Sequence, residues 1–383
     1  MDADLPDPRV FVASSSSSAD APIVAHVEAS LSAIGGATAG GATAAAHDRV
    51  LDAALAGALD ASGDALVALF AGAQDPAACR HLWRRLARLM SSPAPRAGES
   101  LGVALFALPL VIVVGGDAAP FAQLPGTLDD AASVAQILRA HAALGGNETF
   151  ALSNALVRAS AIDLAELPRL RAAANIALAG NLPLALAPAP IDVTAGESVH
   201  LRFLVGSALC APGASLFDAG EPGAWAMPLA KALAKSLAAD GATVLALPRA
   251  PAALPQALCA GRLAQREVSA QIFVTNALRR MRASVGEPTA IVSAHRLDDG
   301  IGGGELRLSL SSPFSPRDAE GFRCPLFAFE RVADAAAMLD DLLRDCRVDN
   351  VHVQPGIHAD RDRTTGLTLL FKPDSLPQAA AAS

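Results

Sequence analysis

The stretch VALFALPLVIVV occupies residues 103–114 and is followed directly by Gly115, Gly116 and Asp117. An apolar run of this length without polar alternation predicts a β-strand that is buried on both faces. Such a strand needs cover on both sides of its sheet, so the run predicts a layered α/β core. The run is also too short to cross a bilayer, which takes about 20 apolar residues.

A region upstream of this strand predicts an amphipathic helix. Apolar residues recur there at helical spacing, and basic residues occupy the positions between them. The apolar set is Leu82, Trp83, Leu86, Leu89 and Met90, and the basic set is Arg80, Arg84, Arg85 and Arg88. The pattern is typical of a helix that docks on its own core or on a partner protein. Alternatively, the arginines form the solvent-exposed face of the helix and bind no partner.

The region downstream predicts alternating helices and strands. Thr127 is a plausible N-cap for a helix that runs to about Leu144. A strand is expected at 243–247, and a long helix at about 255–284. The strands expected at 289–295 and 305–310 flank a glycine-rich hairpin tip at 298–304. A further strand is expected at 326–329, and an amphipathic helix follows from Val332.

These elements predict a mixed fold that combines α/β and α+β parts. We expect a disordered arm at residues 1–20, a helical N-terminal region at 21–95 and an α/β core at 96–284. An antiparallel α+β part at 285–374 and a disordered tail at 375–383 complete the division. The arm is indicated by the serine run at 14–18, and the limit at residue 95 by a proline- and serine-rich break at 91–95.

Composition narrows the classes of function. The chain has 383 residues, a net charge of -8 and a pI of about 5.5, whereas nucleic-acid binders are more often basic. With no tyrosine and 4% aromatic residues, it is also poorly suited to stacking on bases. The five cysteines form no CxxC pair, which argues against a disulfide framework and a zinc site. The acidic N-terminus carries no signal-peptide pattern. We therefore expect a cytoplasmic protein with no metal, no cofactor, no nucleic-acid partner and no membrane insertion.

One candidate ligand site follows from the end of the apolar strand. In open α/β sheets, ligands bind at the carboxyl ends of the strands, which is where Gly115, Gly116 and Asp117 lie. The alternative is a strand terminus that uses glycine for its conformational freedom. No GxGxxG follows the strand, and no GxxxxGK[ST], SxxK or HExxH motif occurs in the chain.

Three hypotheses for the function remain. The first is a noncatalytic scaffold, adaptor or assembly component that binds another protein, with Arg80, Trp83, Arg84 and Arg88 as candidate contact residues. The second is an enzyme or small-molecule binder that uses the crevice beside Gly115, Gly116 and Asp117. The third is a relative of an NTPase or transferase that kept the fold and lost its motifs. Homo-oligomerisation stays open in each case.

Overall fold

The computed structural model describes thirteen segments of the chain. They are residues 41–73, 76–91, 101–115, 122–145, 149–179, 184–193, 196–211, 222–238, 241–284, 286–296, 304–312, 319–327 and 329–359. The predicted arm, the predicted tail and residues 298–303 of the glycine-rich tip lie outside these segments, as do Gly116 and Asp117.

Helices and strands alternate along most of the described chain. The helices are α1 (Gly41–Ala61), α2 (Gly63–Ala71), α3 (Pro76–Ser91), α4 (Ala131–Ala140), α5 (Leu167–Ala179), α6 (Pro222–Ser236), α7 (Leu254–Ser284) and α8 (Val332–Asp345). The strands are β1 (Gly102–Gly115), β2 (Gln123–Leu124), β3 (Phe150–Val157), β4 (Ile191–Asp192), β5 (Ser198–Cys210), β6 (Thr243–Pro248), β7 (Ala252–Ala253), β8 (Thr289–Arg296), β9 (Gly304–Ser311), β10 (Glu320–Leu326) and β11 (Asn350–Ala359). The mixed α/β class predicted from the sequence is confirmed.

The described residues divide into two compact units, one up to Gln265 and one from Arg266 onward, so the division falls within α7. The limits that the sequence suggested, after residues 95 and 284, stay predictions.

The first unit contains a five-stranded antiparallel sheet. Its strand order is β3–β5–β1–β6, with β7 also paired to β1. The even-numbered side chains of β1 lie in a core with α4 and α6, which includes Phe106, Trp225 and Leu229. On the opposite face, α7 approaches β5 at Gly261, where an added Cβ would lie 2.9 Å from the Phe203 ring. The strand predicted to be buried on both faces is therefore the centre of the sheet.

Pro109 lies within this central strand without breaking the sheet. The N–H and C=O of one strand residue point to the same side, and the carbonyl of Pro109 accepts a hydrogen bond from Arg249 N–H at 2.8 Å. On that side β7 pairs with Phe106 and Ala107, and β6 begins its pairing at Leu110. The missing N–H of the proline therefore falls in the gap between two partner strands, where no ladder hydrogen bond is required.

The second unit contains a four-stranded sheet with the order β10–β9–β8–β11. Strands β8, β9 and β10 pair antiparallel, as expected for the hairpin. Strand β11 differs because it runs parallel to β8, after the chain has crossed back through α8. The even-numbered side chains of β8, β9 and β10 form an apolar core with α7 and α8.

Two local predictions were wrong. Asp130, and not Thr127, caps α4: its carboxylate accepts the backbone N–H of Ser133 at 2.9 Å. Thr127 instead forms an isolated bridge with Ala155, and the helix ends at Ala140. The strand expected at 326–329 ends at Leu326, because β10 covers residues 320–326 in register with β9.

Candidate functional site

Helix α3 carries all four of the residues predicted from the sequence to bind a partner protein. It begins with Pro76, a residue favoured in the first turn because it has no N–H to leave unpaired. Leu82 and Leu86 are completely buried, so the predicted apolar stripe packs inward as expected. Trp83 is buried with this stripe, and its ring makes an edge contact with Phe70 of α2 at a centroid distance of 5.2 Å. Its side chain therefore belongs to the helical layer.

Arg85 has a different role from the other arginines of α3. Only 9% of its surface is exposed, and its guanidinium contacts two carboxylates of α1. Nη1 donates to Asp48 at 2.6 Å, and Nε donates to Asp52 at 2.8 Å. Nη2 donates both to the backbone carbonyl of Asp48, at 3.2 Å, and to the carboxylate of Asp52. Arg85 thus joins α3 to α1 and takes no part in the solvated face that the sequence assigned to it.

His81 completes this polar cluster one turn before Arg85. Its Nε2 lies 3.4 Å from Oδ1 of Asp48, and the side chain is 9% exposed. Burial lowers the pKa of the imidazole, Asp48 opposes that effect, and Arg85 adds to it. The cluster therefore places two carboxylates, one guanidinium and one imidazole between two helices.

The remaining arginines of α3 follow one another at a spacing of four residues. Residues i, i+4 and i+8 lie along one side of an α-helix, so Arg80, Arg84 and Arg88 form a continuous basic ridge. Arg84 and Arg88 are exposed, and Arg80 is half-buried. Within the described segments, neither Arg84 nor Arg88 forms a hydrogen bond or an ion pair. The ridge therefore presents two positively charged side chains that are not committed to the fold.

The end of β1 provides little support for the ligand site predicted there. Gly115 closes the strand opposite Thr243, while Gly116 and Asp117 lie outside the described residues. The sheet is antiparallel throughout, so the rule that places ligands at the carboxyl ends of parallel strands does not apply to it. The assignment of a ligand to these three residues stays a prediction without that support.

A GxSxG motif lies directly before β1. Residues 98–102 read GESLG, which has the GxSxG spacing found around the serine nucleophile of α/β-hydrolases. In those enzymes the serine follows a strand and precedes a helix. Here Gly102 is the first residue of β1, so the motif precedes a strand, and Ser100 lies outside the described residues. The context that the motif requires is therefore not met.

A polar face of the second sheet was not anticipated from the sequence. The register places Ser293 opposite Arg307 and His295 opposite Glu305, all on odd-numbered positions away from the apolar core. Ser293 Oγ and His295 Nε2 lie 2.8 Å apart, and Glu305 forms an ion pair with Arg307. The sequence does carry a signal for it, because polar and apolar residues alternate strictly at 292–295 and at 305–310.

In the segments that the structure describes, no three His, Cys, Asp or Glu side chains are grouped so that they could hold a metal ion. No helix among the same residues is long and apolar enough to span a membrane.

The chain matches no protein-family model, no curated protein and no solved structure.

Proposed function

We propose that this chain is a noncatalytic protein-binding component, such as a scaffold, adaptor or assembly subunit, which docks an acidic segment of its partner on the basic ridge of α3. The observation that carries the proposal is the contrast between arginines of one helix. Arg85 is committed to Asp48 and Asp52, whereas Arg84 and Arg88 are exposed and form no ion pair within the described residues.

Charge complementarity supports an acidic protein as the partner. Carboxylates at a spacing of three or four residues on a partner helix match arginines at a spacing of four, and each pairing can be bidentate. The chain as a whole carries a net charge of -8, which repels nucleic acid at long range. A local basic ridge on an acidic protein favours a short, specific contact over broad polyanion binding.

The ridge is also held rigidly, which favours recognition. The hydrogen bonds of Arg85 and the buried side chains of Leu82 and Leu86 hold α3 in place from its inner side. A partner that binds Arg84 and Arg88 therefore does not have to order the helix as well, and the entropic cost of binding is smaller.

Affinity capture from the cells that express the protein tests this proposal. The tagged full chain, its R84E/R88E variant and a control variant, R279E/R331E, are compared after nuclease treatment. Arg279 and Arg331 are exposed, form no ion pair within the described residues, and give the same change in net charge. We expect a stoichiometric protein partner that is kept by the control and lost by R84E/R88E. Equal capture by all three proteins, capture that disappears with nuclease, or no stoichiometric partner would contradict the proposal.

A further inference from the structure

Helix α8 of the second unit exposes a row of carboxylates. Asp334, Asp341 and Asp345 are all exposed, and their spacing of seven and four residues places them along one side of the helix. Within the described segments, none of the three forms a hydrogen bond or an ion pair. We call this row the acidic ridge. Ala337 lies in the same row and is exposed, so its small side chain allows a partner helix to approach closely.

Asp340 shows that not every carboxylate of α8 is available in this way. It is half-buried, and its Oδ2 accepts a hydrogen bond from Nε of Arg344 at 3.0 Å. The arginine of this helix is therefore committed to a residue outside the acidic ridge. As on α3, one charged residue is paired within the helix layer while its neighbours of the same type face outward.

The acidic ridge is also held firmly by the packing of α8. Ala335, Leu339 and Leu343 lie on the opposite side of the helix and are buried in the core of the second unit. A partner that binds the ridge therefore does not have to order the helix, which lowers the entropic cost of binding.

The acidic ridge matches the basic ridge of α3 in charge and in spacing. Arg84 and Arg88 are four residues apart, as are Asp341 and Asp345, and four helical residues rise about 6 Å. Two ion pairs can therefore form at the same time, and each can be bidentate. Among the helices that the structure describes, α8 alone carries two exposed carboxylates at this spacing that form no ion pair there.

We propose that the basic ridge of α3 binds the acidic ridge of α8 in a second copy of this chain, so that the protein assembles with itself. The inference rests on the proposed docking function of the basic ridge and names its partner. Because each copy brings one ridge of each kind, the contact leads to a reciprocal pair, a closed ring or an open chain of copies.

The net charge of each copy is compatible with this contact. Two chains of charge -8 repel each other at long range, which opposes their association. At physiological ionic strength the screening length is about 8 Å, so charges that lie within a turn or two of the contact dominate its energy. The two ridges carry opposite charges at that distance, and association is therefore governed by their attraction.

Sedimentation velocity of the purified full chain tests the inference. The wild type, R84E/R88E and D341R/D345R are compared from about 1 to 100 µM, a range in which weak protein contacts are detected. We expect the wild type to associate as its concentration rises. Each variant alone should associate at least about tenfold more weakly, because each one brings two ridges of like charge together.

Two control variants carry the same changes of charge at other exposed positions. K231E/K235E reverses two lysines that are four residues apart on α6, and D64R/D129R reverses two carboxylates outside α8. All four side chains are exposed and form no ion pair within the described residues. Both controls should associate as the wild type does, because lysine lacks the forked geometry of arginine and the second pair lies on no common helix face.

An equal mixture of R84E/R88E and D341R/D345R provides the decisive measurement. The first variant keeps the acidic ridge and the second keeps the basic ridge, so the mixture should regain the association that each lacks alone. Regained association also shows that both variants are folded. A mixture that stays monomeric while the wild type associates would overturn the inference.

The remaining outcomes separate this inference from the proposed function. A wild-type chain that stays monomeric over the whole range overturns the inference, and so does undiminished association of D341R/D345R. In either case, affinity capture with R84E/R88E still decides whether the basic ridge binds a different protein. Undiminished association of R84E/R88E overturns the inference as well, because the copies then meet through other surfaces.

Discussion

Arg85 of α3 donates a hydrogen bond from Nη1 to Oδ2 of Asp48 in α1, at a distance of 2.6 Å. This contact separates the arginines of α3 into one that holds the helix in the fold and a ridge that faces outward. The proposed docking surface depends on that separation, because arginine supports stability at position 85 and is exposed without an ion pair, within the described residues, at positions 84 and 88.

Replacing Arg85 should therefore destabilise the protein. R85A leaves Asp48 and Asp52 facing each other without a cation in a half-buried site, and we expect the free energy of unfolding to fall by about 2 kcal/mol. R84A is the control from the same helix and should change stability by less than about 0.5 kcal/mol. Denaturant titration of both variants measures the difference. Equal effects of R85A and R84A would mean that Arg85 does not join the two helices.

The same cluster predicts how stability depends on pH. Burial lowers the pKa of His81 in the folded state, so the unfolded chain binds a proton on this residue more readily. His81 therefore stabilises the fold above the unfolded value of about 6.5, and this contribution is lost as the pH falls below it. We expect the free energy of unfolding to decrease from pH 7.5 to 5.5, and to decrease less in H81Q. The control is H352Q, at an exposed histidine, in which the free energy of unfolding should change with pH as it does in the wild type. If H81Q also shows the wild-type pH dependence, His81 does not have this role.

Packing at the centre of the first sheet gives a further prediction. A Cβ added to Gly206 would lie 2.4 Å from the ring of Phe106 on the neighbouring strand and 2.8 Å from the carbonyl of Ala151. G206A should therefore lower the free energy of unfolding by about 1–3 kcal/mol through overpacking. Gly57 of α1 has open space around it, so G57A should instead stabilise the protein by about 0.5–1 kcal/mol. Thermal and chemical unfolding of the two variants give the comparison, and a neutral G206A would show that the sheet can yield at this point.

Long, regular patterns predicted the elements of the fold well. The apolar run at 103–114 and the helix from Val332 appear where the sequence placed them, because burial of an apolar face dictates both patterns. The direction of the strands was not predictable in the same way. Helices also cover both faces of this antiparallel sheet, so β1 has the composition expected of a parallel strand.

Contacts between side chains that are far apart in the sequence could not be predicted. Arg85 fits the polar side of an amphipathic helix as well as its neighbours do, and only its contacts with residues 48 and 52, more than 30 positions away, separate it from them. The position of Trp83 was not predictable for the same reason, because an aromatic residue beside arginines is common both at protein interfaces and in cores. Its contact with Phe70 decides between the two.

The dissociation constant of the captured partner, measured by calorimetry with the purified chain, tests the central claim most directly. We expect R84E/R88E to weaken binding at least about tenfold, and R279E/R331E to bind as the wild type does. Added salt should weaken the wild-type complex and have less effect on R84E/R88E, because the ridge charges have been reversed. Equal affinities of wild type and R84E/R88E at low salt would contradict the assignment of the α3 ridge as the docking surface.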